Sequence, residues 1–217
     1  ALTDHNRLTG AIKFYDKARA LGIKAIIGAE IDVQNGYHLT LLCKNSTGYS
    51  NLCRLLTGAH LSHPSREPVA THEMLVKYHE GLIAMSGCNK GKIPALIEAG
   101  HTEQAKQVAG FYKELFEDDF FIELTRYPSK DAGGLCYRLA EFATEQGIPK
   151  VATNNVHYAD MRDYNIKELL NAIAQNIGVS QLAGYRTVEQ YLKSPKEMIK
   201  LFKDFPDAIA MTDEIAS

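Results

Sequence analysis

Three short apolar runs, each closing on a residue that can bind a metal, restrict what this chain can fold into. Ala1-Leu2 steps into Thr3-Asp4-His5. Lys24-Ala-Ile-Ile-Gly-Ala-Glu30 closes on a carboxylate, and Lys150-Val-Ala-Thr-Asn-Asn-Val-His157 closes on an imidazole. Runs of this kind suit buried parallel strands that deliver side chains to a site from their carboxyl ends. Several such strands converging on one metal site is the expectation that organises the rest.

Between the runs the spacing turns helical. Leu8, Ala11, Ile12, Phe14, Tyr15, Ala18 and Leu21 fit one amphipathic helix, with Gly22 as its stop. Strand, helix and the strand Lys24–Glu30 make a parallel βαβ unit. Residues Ile31–Cys43 read as a second strand pair, with Asn35-Gly36 as its hairpin turn and Tyr37–Cys43 as the returning strand. Lys44–Gly48 reads as a turn, Tyr49–Leu56 as a helix and Thr57–Thr71 as a loop. Thr71 is placed to cap a helix ending at His79, and Leu82–Ser86 is a strand that ends at Gly87-Cys88.

Two helices follow, Lys92–Gly100 and one capped by Thr102 that runs to Phe116. Phe120–Leu124 is a strand, and a polar turn passes through Pro128 and Asp131. Leu135–Gln146 is a helix stopped by Gly147, and Tyr164–Asn176 is helical. Gly178–Arg186 is a loop, Ser194 precedes Pro195 as an N-cap, and a last helix spans Phe205–Ala216. Strands alternating with helices argue an α/β fold with a largely parallel sheet, open or closed into a barrel.

Composition sets outer limits. In 217 residues, 45% are apolar and 23% charged, ordinary for a globular chain with a sizeable core. The net charge of −2 gives no global electrostatic case for nucleic acid, although a local basic face would suffice. No apolar run approaches the roughly 18 residues of a membrane span, and no signal peptide opens the chain, so a cytoplasmic location away from membranes is expected. The cysteines 43, 53, 88 and 136 form no CxxC pair, which argues against a disulfide framework.

The chemistry-bearing residues cluster at strand positions. His5, His38 and His157 lie on or just after strand-like runs, whereas His60, His63, His72, His79 and His101 fall in loops or on polar helix faces. Imidazole with carboxylate and thiolate suits zinc or manganese. Asp4 reads either as a partner of His5 or as a helix cap, Glu30 as a ligand or an exposed terminus, and Cys88 as a ligand or a buried thiol. Asn155 and His157, two apart in an extended segment, share a face. Glu123 is placed to support the site. Neither a nucleophile elbow nor a phosphate-binding glycine loop is present.

These segments also carry a family resemblance. Thr3-Asp-His5, Ile26–Glu30, Tyr37–Leu42, Asn45–Leu52, Gly81–Cys88, Phe121–Leu124, Val151–Tyr158 and Leu192–Met198 come in an order that resembles the PHP (polymerase and histidinol phosphatase) domain of the bacterial DNA polymerase III alpha subunit, a C-family polymerase. The resemblance implies a distorted (β/α)7 barrel whose first strand and first metal motif, a His-x-His, lie outside this chain. It implies a barrel over residues 1–190 and a helical extension over 191–217 leading towards the polymerase palm.

Metal ligands would be His5, Glu30, His38, Cys88, Asn155 and His157, with Asp4 and His5 carrying catalytic roles. Asn155 departs from the aspartate usual at that place. The resemblance implies two or three divalent ions when the upstream motif is present, zinc or manganese being favoured. It implies a proofreading 3′–5′ exonuclease or phosphoesterase site, or the same barrel as a structural support. A free-standing phosphomonoesterase of the histidinol-phosphatase kind is a further reading, which Tyr37–Leu52 and the segment after Tyr191 argue against. Implied partners are the rest of the alpha subunit, DNA through the full polymerase, and replisome subunits.

Overall fold

The computed structural model describes residues 1–62, 67–127, 134–182 and 187–217. The expected turn through Pro128 and Asp131 lies outside these residues, as do parts of the loops expected at 57–71 and 178–186.

After the first residues come α1 (Ala11–Ala20), β1 (Gly28–Val33), β2 (Tyr37–Cys43), α2 (Ser46–Ser62), α3 (His72–Tyr78) and β3 (Leu82–Met85). The chain continues through α4 (Lys92–Glu98), α5 (Thr102–Phe116), β4 (Phe120–Thr125), α6 (Leu135–Gln146), β5 (Lys150–Thr153), α7 (Tyr164–Gln175), α8 (Pro195–Leu201) and α9 (Pro206–Ala216). The five strands form one sheet in chain order. β1, β2 and β3 pair antiparallel, while β3, β4 and β5 pair parallel. The sheet is thus mixed rather than largely parallel. The parallel βαβ expectation holds at its first step, because residues 2 and 5 bridge in parallel to Ile27 and Glu30.

One strand boundary moves with consequences for the site. Glu30 does not end its strand; β1 continues through Asp32 to Val33, pairing Glu30 with Thr40 and Asp32 with His38. The acidic residues look like a terminus in sequence, but β2 folds back along them through Asn35 and Gly36, both at positive φ (68° and 71°). That is the backbone a tight Asn-Gly hairpin requires.

Elsewhere the capping signals act as written. The Thr71 hydroxyl accepts from the Met74 amide, and Ser194 and Glu197 form a reciprocal cap on α8. Thr102 is the first residue of α5 and not its cap. α2 is longer than expected at both ends. Asn45 Oδ1 accepts from the Gly48 amide as an N-cap would, and Ala59 extends the buried stripe Leu52, Leu55 and Leu56 by a turn.

The alternation of each strand sorts its side chains between two layers. Ala29, Ile31, Val33, Leu39, Leu41, Ala84, Ile122 and Leu124 face the helices in the main core. Leu42, Ile83, Met85, Phe121 and Val151 form a smaller apolar cluster. α9 covers this second cluster with Met211 and Ile215. It is tied at its start by Asp207 to Lys150 (2.6 Å) and at its end by the Ser217 carbonyl to Lys24 Nζ (2.7 Å). The helix therefore runs from β5 towards the segment that leads into β1.

Phe202 and Ala208 are wholly buried in the main core. Arg126 fixes the bend between α8 and α9, donating to the Leu201 carbonyl and to Asp204, which also accepts from the Tyr137 hydroxyl (2.7 Å). Phe202→Ala is expected to destabilise the chain by about 3–5 kcal/mol, as for other buried aromatics, measured by urea unfolding. A loss below about 1 kcal/mol, typical of a surface substitution, would mean that α8 and α9 unfold apart from the sheet.

Candidate metal centre

The site lies on the face of β1 and β2 opposite the main core. The alternation that buries Ala29, Ile31 and Val33 turns Glu30 and Asp32 the other way, and β2 does the same with His38 and Thr40. His5 reaches them from the segment that bridges to β1.

His5 Nδ1 lies 3.0 Å from Glu30 Oε1, and His38 Nδ1 lies 3.1 Å from the same oxygen. The two Nε2 atoms approach Asp32, His5 at 3.2 Å from Oδ2 and His38 at 3.4 Å from Oδ1. The imidazole centroids are 4.9 Å apart. Two carboxylates thus clamp two imidazoles. His5, Glu30 and His38 each present a ligand atom, all within 4.8 Å of one another. A nitrogen and oxygen set in this compass fits a divalent transition ion.

The charges support each other. Burial pushes the Glu30 carboxyl up, but hydrogen bonds from His38 and His5 outweigh it and hold the group well below the usual carboxylate range. His5 is raised, chiefly by its hydrogen bond to Glu30 and against its own desolvation.

Cys88 is buried, its Sγ 3.6 Å from His38 Nδ1. Burial, with Glu30 adding, pushes the free thiol up to about 12. The turn that places it needs glycine. Gly87 has φ +84°, and a Cβ there would lie 2.4 Å from the His38 carbonyl oxygen.

The remaining expected residues sit differently. Asp4 is exposed, its Oδ2 against Gly10; the carboxylates at the His5 ring are those of Glu30 and Asp32. β5 ends at Thr153, and Asn155 has φ +46°, so the segment turns there and Asn155 and His157 do not share a face as an extended strand would require. His157 is anchored through its amide to the Gln190 carbonyl (2.9 Å), in a stretch where Tyr158 bridges to Tyr191. His5, Glu30, His38 and Cys88 come together, and the arm after β5 brings His157 within electrostatic reach of Glu30 and His5, burial lowering its pKa.

Two contributors were missed in the sequence. Asp32 follows Glu30 by two, and a strand continued past Glu30 would have put both on one face. Asn6 is 6% exposed, at φ 54°, and grips Asp32 from both sides. Its Nδ2 donates to Asp32 Oδ2 and its Oδ1 accepts from the Asp32 amide, each at 2.9 Å. The Asn6 carbonyl in turn accepts from His60 Nε2 (2.9 Å), giving a supporting role to a histidine read as peripheral. No local sequence pattern announces Asn6, because its partner is 26 residues away.

Beyond Thr40 the sheet carries Glu123, which is 6% exposed. Thr153 (2.6 Å) and Thr40 (3.3 Å) donate to its two carboxylate oxygens, and its amide donates to Ser86 Oγ. Glu123 is therefore a buried bridge between β2 and β5.

A profile for the PHP domain matches residues 1–127. The chain belongs to the PHP domain family. All of it aligns with a Borreliella burgdorferi DNA polymerase III subunit alpha at 38% identity, covering 20% of that protein. An error-prone DNA polymerase of Symbiobacterium thermophilum is 36% identical over the whole chain and 22% of its own length. The DNA polymerase III subunit alpha of Escherichia coli K12 is 35% identical over the whole chain and 19% of its length. This PHP domain thus spans about a fifth of the curated relatives it matches. Among the described residues, no helix is long and apolar enough to cross a membrane.

Burial pushes the Glu123 carboxyl up, against the hydroxyl hydrogen bonds that oppose it. An acid raised in the folded state stabilises fully below its unfolded pKa, and that contribution is lost as pH rises through the folded value. Glu123→Gln, uncharged throughout, should therefore gain stability relative to the parent between about pH 4 and pH 8, read by urea unfolding at both ends. A pH-independent difference would show that Glu123 titrates normally.

Proposed function

We propose that this chain is the PHP domain of a bacterial DNA polymerase of the DNA polymerase III alpha kind, acting in DNA replication and carrying a metal-dependent 3′–5′ exonuclease or phosphoesterase site. The observation that carries this reading is the His5–Glu30–His38 cluster clamped by Asp32. His5, Glu30 and His38 would hold divalent ions, zinc or manganese, with Cys88 at the edge of the set. Asn155 and His157 would complete the site from their arm, and Asp4 would act beside His5. Two or three ions are expected in a chain that also carries the His-x-His motif.

Bound divalent ions supply Lewis-acid polarisation of a phosphodiester and a low-pKa water. The chain's own residues set the geometry. Glu30 Oε1 and the Nδ1 atoms of His5 and His38 would face the ion, Asp32 would orient both rings through their Nε2 atoms, and Asn6 holds Asp32. His5, 47% exposed at its side chain, is the member open to an incoming substrate. Residues 191–217 would connect the barrel to the polymerase palm. The partners are the rest of the alpha subunit, DNA through the full polymerase, and the replisome subunits.

A second reading keeps the barrel as a brace for the polymerase with little or no metal. Asn155 favours it, since a neutral amide at a turn gives less charge to an ion than a carboxylate.

Elemental analysis of the full-length polymerase, paired with digestion of single-stranded DNA with and without manganese, separates the two. The expected outcome is two or three bound ions and chelator-sensitive digestion. His38→Ala and His157→Ala should each lower the metal content, and Asp32→Asn should weaken metal affinity about 10- to 100-fold, as loss of an orienting partner does. No metal and no digestion would leave the structural reading.

A further inference from the structure

α7 buries Glu168 and Ala172 and leaves an apolar stripe of Ile166, Leu169, Leu170 and Ile173 outward. Lys167 ties this helix to the arm after β5. The His157 amide donates to the Gln190 carbonyl (2.9 Å), and Tyr158 bridges in parallel to Tyr191. In that register His157 and Gln190 are neighbours whose side chains leave the same face. Lys167 Nζ donates to Gln190 Oε1 at 2.5 Å, so its ammonium lies on the His157 side of the arm. A second lysine approaches from the turn after Cys88. The His38 amide donates to the Lys90 carbonyl (3.1 Å), and His38 bridges to Gly91. Both ammonium groups act on the His157 imidazole, which is also in reach of Glu30 and His5. Burial lowers the pKa of that ring, Lys167 and Lys90 lower it further, and Glu30 opposes them.

No carboxylate pairs with either lysine among the described residues, whereas Lys44, Lys150 and Lys193 each have one. The half-buried Lys167 ammonium has one hydrogen-bond partner, a neutral amide, which takes one of its three donors. Burial lowers the Lys167 pKa, the penalty of holding an ammonium partly out of water without a paired counter-charge. A cation kept in that state beside a metal cluster points to an anionic ligand.

We propose that Lys167 and Lys90 bind the phosphate oxygens of a single-stranded DNA substrate beside the ions held by His5, Glu30 and His38. This role rests on the phosphoesterase reading above and names the groups that hold its substrate. The two sets of side chains divide the work by charge. Glu30 and Asp32 attract cations and repel a phosphodiester, while a lysine binds phosphate as a point charge. The lysines come from two separate elements, the Cys88 turn and α7, and so supply a local basic face in a chain whose net charge is −2.

The test uses the full-length polymerase with manganese and a cleavage-resistant phosphorothioate oligothymidylate. Acetylation of each lysine by an N-hydroxysuccinimide ester is read by mass spectrometry with and without this probe. Lys90 and Lys167 are expected to react several-fold more slowly with it, while Lys13, exposed on α1, keeps its rate. Lys167→Met should raise KM for oligothymidylate digestion about tenfold with kcat nearly unchanged, as loss of one charged hydrogen bond in uniform binding does. Lys167→Arg should keep most of the affinity, and both variants should keep the parent's metal content. Unprotected lysines overturn the proposal, and so does protection with an unchanged KM. Where metal and digestion are present, either result rejects the lysines alone. Absence of both metal and digestion rejects the phosphoesterase reading, and the role of the lysines with it.

Discussion

The antiparallel pairing of β1 with β2 is the constraint on which the rest of the site depends. It sets Asp32 across from His38 and Glu30 across from Thr40, so four polar side chains share one face. Shifting the register by one residue would move the carboxylates into the main core and Ala29, Ile31 and Val33 out of it. The apolar face therefore fixes the polar one: burying three small and branched side chains specifies where both acids stand. The hairpin at Asn35-Gly36 sets the register locally, and the core enforces it globally.

Around that pairing the polar groups are satisfied in layers. Asn6 holds Asp32 from the segment that brings in His5, so the first bridge to β1 supplies an imidazole of the cluster and the support of its carboxylate together. Glu123 is satisfied by Thr40 and Thr153, which joins the antiparallel half of the sheet to the parallel half. Among the described residues, no buried side-chain nitrogen or oxygen lacks a hydrogen-bond partner. In a low-dielectric interior each unpaired group would cost about 1–3 kcal/mol. A complete network holds its geometry because every single departure is penalised.

The C-terminal helices extend the same logic to the sheet's second face. Met211 and Ile215 close the small apolar cluster, and the ion pair between Lys150 and Asp207 fixes where α9 begins. Arg126 sits over the Tyr137 and Phe205 rings while binding Asp204, so one guanidinium joins β4, α6 and the bend before α9. A buried Lys193 donates to Asn154 Oδ1, and Asn154 donates to the Tyr191 carbonyl, coupling the approach to α8 with the arm that carries Asn155 and His157. Lys193 is thus structural.

What the sequence determined by itself was local. Its periodicities gave the strand and helix types, and Thr71, Ser194, Gly22 and Gly147 marked helix ends because capping and left-handed turns depend on neighbours within a few residues. The motif order also carried the family and singled out His5, Glu30, His38 and Cys88, which lie side by side in the fold. Tertiary structure decided the rest. It continued β1 beyond Glu30 because β2 was there to pair with it, and so brought Asp32 into the site. It chose Asn6 as the holder of Asp32, buried Lys193, turned the chain at Asn155, and left the apolar stripe of α7 outward. The continuation of β1 rests on the nearby hairpin that sets Asp32 across from His38. Asn6 and Lys193, by contrast, are settled by partners 26 and 39 residues away, and the outward stripe of α7 by the balance of two faces, which no local pattern contains.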